Sequence, residues 1–158
     1  MRSLPTKLLA EALGSAFLLL SIVGSGIMIA GASLGVILAN ILYQLPAVEI
    51  STTERSGTHL FISEVVATFG LILVVFATWM KISTMARASL IVLWIGGAYF
   101  FTSSASFANP AVTISRTLTD SYTGIAPSSV LAFIAAQAIG ALAALFAVTL
   151  FSKSHDNG

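Results

Sequence analysis

The chain has 158 residues, of which 57% are hydrophobic and only 8% are charged, and its mean hydropathy is +0.99. An average soluble domain carries roughly 25% charged residues and buries only about two-thirds of the surface of its unfolded chain. This composition excludes a soluble fold and predicts an all-α integral membrane protein. The seven Lys and Arg residues form no basic run and do not alternate with aromatic residues, so nothing suggests nucleic-acid binding. The absence of Cys excludes disulfides, zinc–thiolate sites and thiol catalysis, and we expect no metal and no cofactor.

Four segments are long and apolar enough to cross a hydrocarbon core of about 30 Å, which takes about 20 helical residues. They are residues 8–30, 60–80, 86–103 and 128–151. The first is too long for a signal peptide and Glu11 interrupts its start, so we predict a retained helix. Residues 33–46 are apolar but shorter, and Pro46 predicts a stop. We interpret this piece as a partial helix that does not cross the membrane.

The charges beside the spans predict their orientation, because cytoplasmic loops collect Lys and Arg. Three cationic clusters flank the spans: Arg2 with Lys7, Lys81 with Arg87, and Lys153. The loop 48–59 instead carries two Glu residues against one Arg. This pattern predicts that both termini and the loop 81–87 are cytoplasmic and that the loop 48–59 is external.

An internal repeat relates the starts of two spans. AEALGSAFLLL at residues 10–20 matches SEVVATFGLIL at residues 63–73, which pairs Glu11 with Glu64. The predicted topology runs these spans in opposite directions, which indicates an inverted repeat. Two spans, a polar loop and a third span follow from Glu64 onward, but only one span and a short piece follow from Glu11. The first half of the repeat is therefore incomplete.

The polar loop contains the motif Asn109, Pro110 and Ala111. Asn is a strong helix cap, Pro is favoured at the first helical position, and Ala propagates a helix. Residues 110–118 then form a helix of roughly 13 Å, about half of the hydrocarbon thickness. This pattern predicts a re-entrant half-helix whose positive end and Asn109 amide face a lumen, where they repel cations and donate to water or a polyol.

With these features the chain resembles the aquaporin and aquaglyceroporin family, also called major intrinsic proteins, over residues 7–28 and 57–150. Family members have six spans and two half-helices that each begin with Asn-Pro-Ala, and they usually form tetramers with one pore per subunit. The resemblance implies one aquaporin-like bundle over residues 1–158, with four full spans, a partial helix and one half-helix, in contact with the lipid of a bacterial inner membrane. It also implies that Glu11 and Glu64 are buried carboxylates that support the re-entrant loops.

The resemblance assigns Gly97, Ser106 and Val112 to the selectivity filter, and most family members have Arg at the third position. A filter of small and apolar residues is similar to that of aquaglyceroporins linked to bacterial arsenic resistance. It implies a channel for water and small neutral solutes such as glycerol and arsenous acid. We expect Arg116, one turn later, to meet Asp120 or solvent.

The chain also departs from the family pattern. The other Asn-Pro-Ala motif, the second span and most of the third span have no counterpart, which predicts a deletion near residues 40–43. An alternative interpretation is therefore a non-conducting remnant or regulatory subunit that packs through small residues such as Gly140, Ala143 and Ala144. An enzyme that uses His59 is not expected, because no Asp lies near it in the sequence.

Overall fold

A computed structural model describes residues 26–76, 82–102 and 104–156, and these residues form helices and connecting loops. The helices are α1 (Gly26–Leu42), α2 (Thr58–Phe76), α3 (Thr84–Phe101), α4 (Pro110–Ser115) and α5 (Pro127–Asp156), and a 3-10 helix (Arg116–Leu118) continues α4. The described ranges contain no strand. Glu11 and the predicted span 8–30, apart from residues 26–30, lie outside the described residues.

Three of the described helices are long and apolar enough to cross a membrane, as judged by length and composition. They are Thr58–Phe76, Thr84–Phe101 and Pro127–Leu150, which correspond to the predicted spans 60–80, 86–103 and 128–151. At the level of helix length and composition, the prediction of a helical integral membrane protein is confirmed. The helix α3 begins two residues earlier than predicted, because the Ser83 hydroxyl accepts a hydrogen bond from the Ala86 N–H at 3.1 Å and caps it.

The helix α1 corrects one predicted boundary. The sequence analysis separated residues 33–46 from the span before them, but α1 runs without a break through residues 31 and 32. A single Gly such as Gly31 costs a helix only about 1 kcal/mol, which is too little to end it.

The end of α1 is fixed by its own backbone rather than by the following proline. Gln44 adopts a left-handed φ of 59°. The Leu45 N–H donates to the Asn40 carbonyl at 2.8 Å and the Gln44 N–H donates to the Ile41 carbonyl at 3.0 Å. This pair of bonds is a Schellman motif, which satisfies the last carbonyls of a helix. The helix therefore ends at Leu42, four residues before Pro46.

The core of the described structure lies between α2 and α5, which approach closely at Gly140. An added Cβ at Gly140 would lie 2.4 Å from the Val65 carbonyl oxygen, so only Gly fits there. Ala144 is fully buried in a cluster with Ile72, whereas Ala143 is exposed. Gly140 and Ala144 thus pack within the chain, whereas Ala143 lies on its surface, and the proposed packing of a remnant or regulatory subunit through these residues stays a prediction.

The helix α3 is attached to α2 mainly through Trp94. Its indole Nε1 donates to the Ala67 carbonyl at 2.9 Å, and an added Cβ at Gly70 would lie 1.9 Å from the indole ring. Ala98 is the buried residue of α3, and Phe100 on the same helix is 88% exposed. An apolar helix with so little buried surface is suited to a lipid environment, where exposed apolar side chains carry no penalty.

Candidate functional site

The Asn-Pro-Ala motif begins α4, as its residue types predict. Asn109 has the extended backbone of an N-cap, with φ −156° and ψ 121°, and Pro110 occupies the first turn. The Asn109 Oδ1 accepts the N–H of Ala111 at 2.8 Å, and its carbonyl accepts the N–H of Thr113 at 2.9 Å. The side-chain oxygen thus satisfies one of the N–H groups that a helix start leaves unpaired.

The loop that leads into the motif has an unusual backbone. Ala105, Ser106 and Ala108 all have left-handed φ values, of 56°, 60° and 43°. Such values are uncommon outside glycine and persist only where surrounding contacts enforce them. The Ser106 N–H donates to the Thr102 hydroxyl at 2.6 Å, and the Phe107 N–H lies 3.3 Å from the Ser104 hydroxyl oxygen. Neighbouring hydroxyls therefore hold two of the loop N–H groups.

Glu64 holds the third loop N–H. Its side chain is completely buried, and its Oε1 accepts the Ala108 N–H at 2.6 Å. Its Oε2 accepts the Ser104 hydroxyl at 2.9 Å. The Gln137 Nε2 also donates to Oε1 at 2.8 Å. Both carboxylate oxygens therefore act as acceptors for three donors that come from the loop and from α5.

Gln137 is a site residue that the sequence analysis missed. Its Nε2 also donates to the Thr113 hydroxyl at 2.8 Å, and that hydroxyl donates to the Asn109 carbonyl at 3.0 Å. A chain of hydrogen bonds thus joins Glu64 on α2 to the helix start through α5. The sequence does contain a signal for it, namely a single amide side chain in the middle of an apolar span. Such a polar side chain usually bonds to a partner inside a helix bundle.

The N–H groups of Ser106, Phe107 and Ala108 are all hydrogen-bonded within the protein. In the part of the chain that the structure describes, the carbonyl oxygens of Ser106, Phe107 and Ala108 accept no hydrogen bond. Carbonyl oxygens without a donor need water or another polar partner. The loop therefore presents a row of acceptors beside Asn109.

The three predicted filter residues lie in different surroundings. Ser106 lies on the left-handed loop and Val112 on the first turn of α4. Val112 is half-buried against a cluster that includes Phe107 and Ile125. Gly97 lies on α3, and no atom of the described residues lies within 4 Å of the position of an added Cβ. Ser106 and Val112 therefore lie just before and just after the motif, whereas no described residue covers Gly97.

The loop 47–57 packs along the end of the short helix. Two backbone hydrogen bonds join the two segments: Glu49 N–H to Leu118 carbonyl at 3.1 Å and Ser51 N–H to Thr117 carbonyl at 2.9 Å. A third bond, from the Ala126 N–H to the Thr53 carbonyl at 2.8 Å, joins the loop to the residue before α5. The contact requires glycine at Gly124, where an added Cβ would lie 2.2 Å from the Thr119 carbonyl oxygen. The loop therefore fixes the carboxyl end of the short helix.

Asp120 also joins these two segments, because it accepts hydrogen bonds from Thr52. Its Oδ1 accepts the Thr52 N–H at 2.8 Å and its Oδ2 accepts the Thr52 hydroxyl at 2.9 Å. These bonds, the backbone bond first, hold the pKa of the Asp120 carboxyl below its usual value. We expected Arg116 to meet Asp120 or solvent, but its Nη1 donates to the Thr123 hydroxyl.

Arg55, in loop 47–57, lies near the loop that leads into the motif. Its side chain is only 6% exposed. Its Nε donates to the Gly124 carbonyl at 2.7 Å and its Nη2 to the Tyr122 carbonyl at 2.7 Å. Its Cζ lies 5.8 Å from the centroid of the Phe107 ring. The sequence analysis had treated this residue only as one charge in an external loop.

Burial is the main influence on the pKa of the Arg55 guanidinium. Loss of solvent lowers the pKa of its guanidinium from the ordinary value, and the Tyr122 hydroxyl and the Glu64 carboxylate act in the opposite direction. Arginine keeps its proton at neutral pH even after such a shift. The described residues include no cluster of three or more His, Cys, Asp and Glu side chains that would hold a metal.

Comparison with known proteins gives one informative match. The chain is similar to aquaglyceroporin AqpS of Rhizobium meliloti (strain 1021), with 39% identity over 117 residues. The match covers 74% of this chain and 50% of the relative, so the chain spans about half the length of the curated relative that it matches. No protein-family model matches the chain, and no solved structure matches it.

Proposed function

Because the chain belongs to the aquaporin, or major intrinsic protein, family over the region that it shares with its relative, we propose that it forms a channel for water and small neutral solutes. The relative is an aquaglyceroporin by name, which supports glycerol as one permeant. A channel, rather than an enzyme, is the function that this family relationship favours.

The observation that carries the proposal is the backbone of the loop before Asn109. Its N–H groups are taken up by Thr102, Ser104 and Glu64. Its carbonyls are thereby left to accept hydrogen bonds from a passing solute. A water molecule or a polyol can replace its hydrogen bonds to water by hydrogen bonds to these fixed acceptors, so its free energy changes little. A solute without hydroxyl or amine donors cannot make this replacement.

The short helix serves as a re-entrant half-helix in this proposal. The six residues of α4 and the three of the 3-10 helix together reach about 15 Å, half of a hydrocarbon core of about 30 Å. Asn109, Pro110 and Ala111 then lie near the membrane centre. The loop before them has irregular backbone, which is tolerated at that depth only where it lines a polar route or is buried in protein.

The filter residues set the permeant class. Gly97, Ser106 and Val112 carry no bulky polar group and no charge, so the route is wide enough for glycerol and for arsenous acid, which is neutral at physiological pH.

The external position of loop 47–57 and the cytoplasmic position of both termini follow from the charge pattern. The membrane proposed is the bacterial inner membrane.

The opposite wall of this route comes from outside the described residues. No atom of the described residues lies within 4 Å of an added Cβ at Gly97, and the chain spans half of its relative, which together support a deletion near residues 40–43. Neighbouring copies in a homo-oligomer, a tetramer by family resemblance, or a full-length homologue would close the route. The same two observations favour a second candidate function, a non-conducting remnant or regulatory subunit.

Solute uptake separates the two candidates. The full chain is expressed in cells that lack their own aquaglyceroporins, and uptake of glycerol and arsenite is measured with membrane insertion verified. We expect uptake above the empty-vector level, and we expect Val112→Arg to reduce it by narrowing the filter. Val130→Ala, at a position half-buried in the same cluster, is the matched control. Uptake at the empty-vector level for the unmodified chain would favour the non-conducting remnant.

A further inference from the structure

We propose that Gln137 is a positioning residue of the channel, which acts through Thr113 to close the Asn109 carbonyl to passing solutes. The inference rests on the proposed channel function. It concerns a side chain that lies outside the Asn-Pro-Ala motif and outside the three filter residues, and it determines how tightly a polyol is held at the motif.

The amide nitrogen of Gln137 is held by two acceptors. The side chain is only 2% exposed, and its Nε2 lies 2.8 Å from the Glu64 Oε1 and 2.8 Å from the Thr113 hydroxyl oxygen. An amide nitrogen carries two protons, and each acceptor takes one of them. Both protons of Gln137 are therefore used inside the protein.

The two donated bonds also determine which way the Gln137 amide faces. Rotation of the amide by half a turn would place its oxygen against the Glu64 carboxylate, and two acceptors do not bond each other. In the observed orientation the Gln137 Oε1 is buried and has no hydrogen-bond partner among the described residues. A buried acceptor without a donor is destabilising. The bonds to Glu64 and Thr113 thus outweigh the unbonded oxygen.

The bond from Gln137 directs the proton of the Thr113 hydroxyl. A hydroxyl has a single proton, and Thr113 donates it to the Asn109 carbonyl at 3.0 Å. The Glu64 carboxylate is a stronger acceptor than a carbonyl, and it bonds the same Gln137 nitrogen. Because Gln137 donates to both Glu64 and Thr113, the Thr113 proton is left for Asn109.

The Asn109 carbonyl is fully occupied as a result. It accepts the Thr113 N–H at 2.9 Å as well as the Thr113 hydroxyl, and a carbonyl oxygen has two lone pairs. The carbonyls of Ser106, Phe107 and Ala108 accept no hydrogen bond within the described residues. The row of free acceptors therefore ends at Ala108.

An occupied carbonyl at Asn109 favours the release of a polyol. Conduction requires that a solute bind well enough to enter the route and weakly enough to leave it. An open lone pair on the Asn109 carbonyl would give a glycerol hydroxyl one more acceptor beside those of the loop. Glycerol would then stay longer at the motif and obstruct the flow of water.

The test measures how strongly glycerol obstructs water flow through the purified full chain in liposomes. Glycerol is present at equal concentration on both sides, and a sucrose gradient drives water out. The glycerol concentration that halves the water permeability is compared for the unmodified chain, Gln137→Met, Thr113→Val and the double variant. Thr149→Val is the matched control, because the Thr149 hydroxyl bonds the Phe146 carbonyl within its own helix.

We expect Gln137→Met to lower this glycerol concentration about fivefold, the factor that one hydrogen bond of ordinary strength contributes. Thr113→Val should lower it to a similar extent, because it also opens the Asn109 carbonyl. The double variant should lower it no further than either substitution alone, because both remove the same contact. Thr149→Val should leave it unchanged.

A merely structural role of Gln137 gives a different result. A loosened loop would hold glycerol less tightly, so the halving concentration would rise or stay unchanged, and either outcome would overturn the inference while leaving the channel proposal intact. Additive effects of the two substitutions would overturn it as well.

Two further outcomes are distinguished by the same measurement. If Gln137→Met does not fold, Thr113→Val decides alone, because it leaves the three donors of Glu64 in place. Water permeability at the protein-free level for the unmodified chain would overturn the channel proposal and this inference with it.

Discussion

The Glu64 carboxylate accepts the backbone N–H of Ala108 at 2.6 Å, across 44 residues of chain. This bond connects a buried position in α2 to the residue that immediately precedes the Asn109 cap. It holds Ala108 in a left-handed conformation that alanine rarely adopts. The geometry of the loop before the motif therefore depends on a residue far away in the sequence.

Replacement of Glu64 by Gln should destabilise the protein by about 1–3 kcal/mol, the usual cost of leaving a buried donor without an acceptor. The carboxylate has two acceptor oxygens for the Ala108, Ser104 and Gln137 donors, whereas a glutamine has one and turns its own NH₂ toward a donor. Thermal unfolding of the detergent-solubilised protein measures the change. Glu49→Gln, at an exposed position, is the matched control, and equal stability of the two variants would contradict the network.

Gly140→Ala should separate α2 from α5. The added Cβ would lie 2.4 Å from the Val65 carbonyl oxygen and 3.1 Å from the Phe69 nitrogen, and backbone atoms cannot move aside without shifting the helix. Overpacking of this kind typically costs about 1–3 kcal/mol.

Gly35→Ala is the control for Gly140→Ala, because no atom of the described residues lies within 4 Å of its added Cβ on α1. Thermal unfolding should show a lower midpoint for Gly140→Ala and little change for Gly35→Ala. A Gly140→Ala protein as stable as the unmodified chain would show that α2 and α5 do not approach as described.

The contact between Asp120 and Thr52 should depend on pH. Hydrogen bonds hold the pKa of Asp120 below its usual value, so the native state favours the carboxylate. The stabilisation is therefore present above the unfolded-state pKa and is lost as the pH falls through the lower folded-state pKa. Asp120→Asn should raise hydrogen exchange in residues 51–53 at pH 7.

The pH dependence provides the control for Asp120→Asn. Once exchange rates are corrected for intrinsic chemistry, the difference between Asp120→Asn and the unmodified chain should shrink as the pH falls toward 3. Glu54→Gln, an exposed carboxylate on the same loop, should leave exchange in residues 51–53 unchanged. A difference that grows on acidification would mean that the sign of the linkage is wrong.

The predicted topology can be tested with single cysteines, since the chain has none. Glu54 and Thr84 are exposed and lie in or beside the loops that the charge pattern assigns to opposite sides. In intact cells a membrane-impermeant thiol reagent should label Glu54→Cys, and it should label Thr84→Cys only after permeabilisation. The reverse pattern would invert the topology.

Local residue chemistry predicted the parts of the fold that local interactions determine. The cap at Asn109 and the helix start at Pro110 follow from the preferences of Asn and Pro. The three described spans follow from the length of apolar runs. The boundary between residues 8–30 and 33–46 was wrong, because α1 runs from the first segment into the second without a break.

The sequence pattern did not predict the long-range contacts of the site. The sequence singled out Glu64 through its repeat with Glu11, but it gave no sign that Gln137 donates to the same carboxylate. It also predicted that Arg116 meets Asp120 or solvent, whereas Arg116 bonds Thr123 and Asp120 bonds Thr52 on a distant loop. Such partners depend on how helices pack, which a single sequence does not report.

The most direct test of the channel proposal is osmotic light scattering of liposomes that contain the purified chain. After a rapid inward glycerol gradient, the vesicles first shrink and then re-swell as glycerol enters. The proposal predicts that re-swelling is faster than in protein-free liposomes and that Val112→Arg slows it. Re-swelling at the protein-free rate, with the chain shown to be inserted and folded, would contradict it.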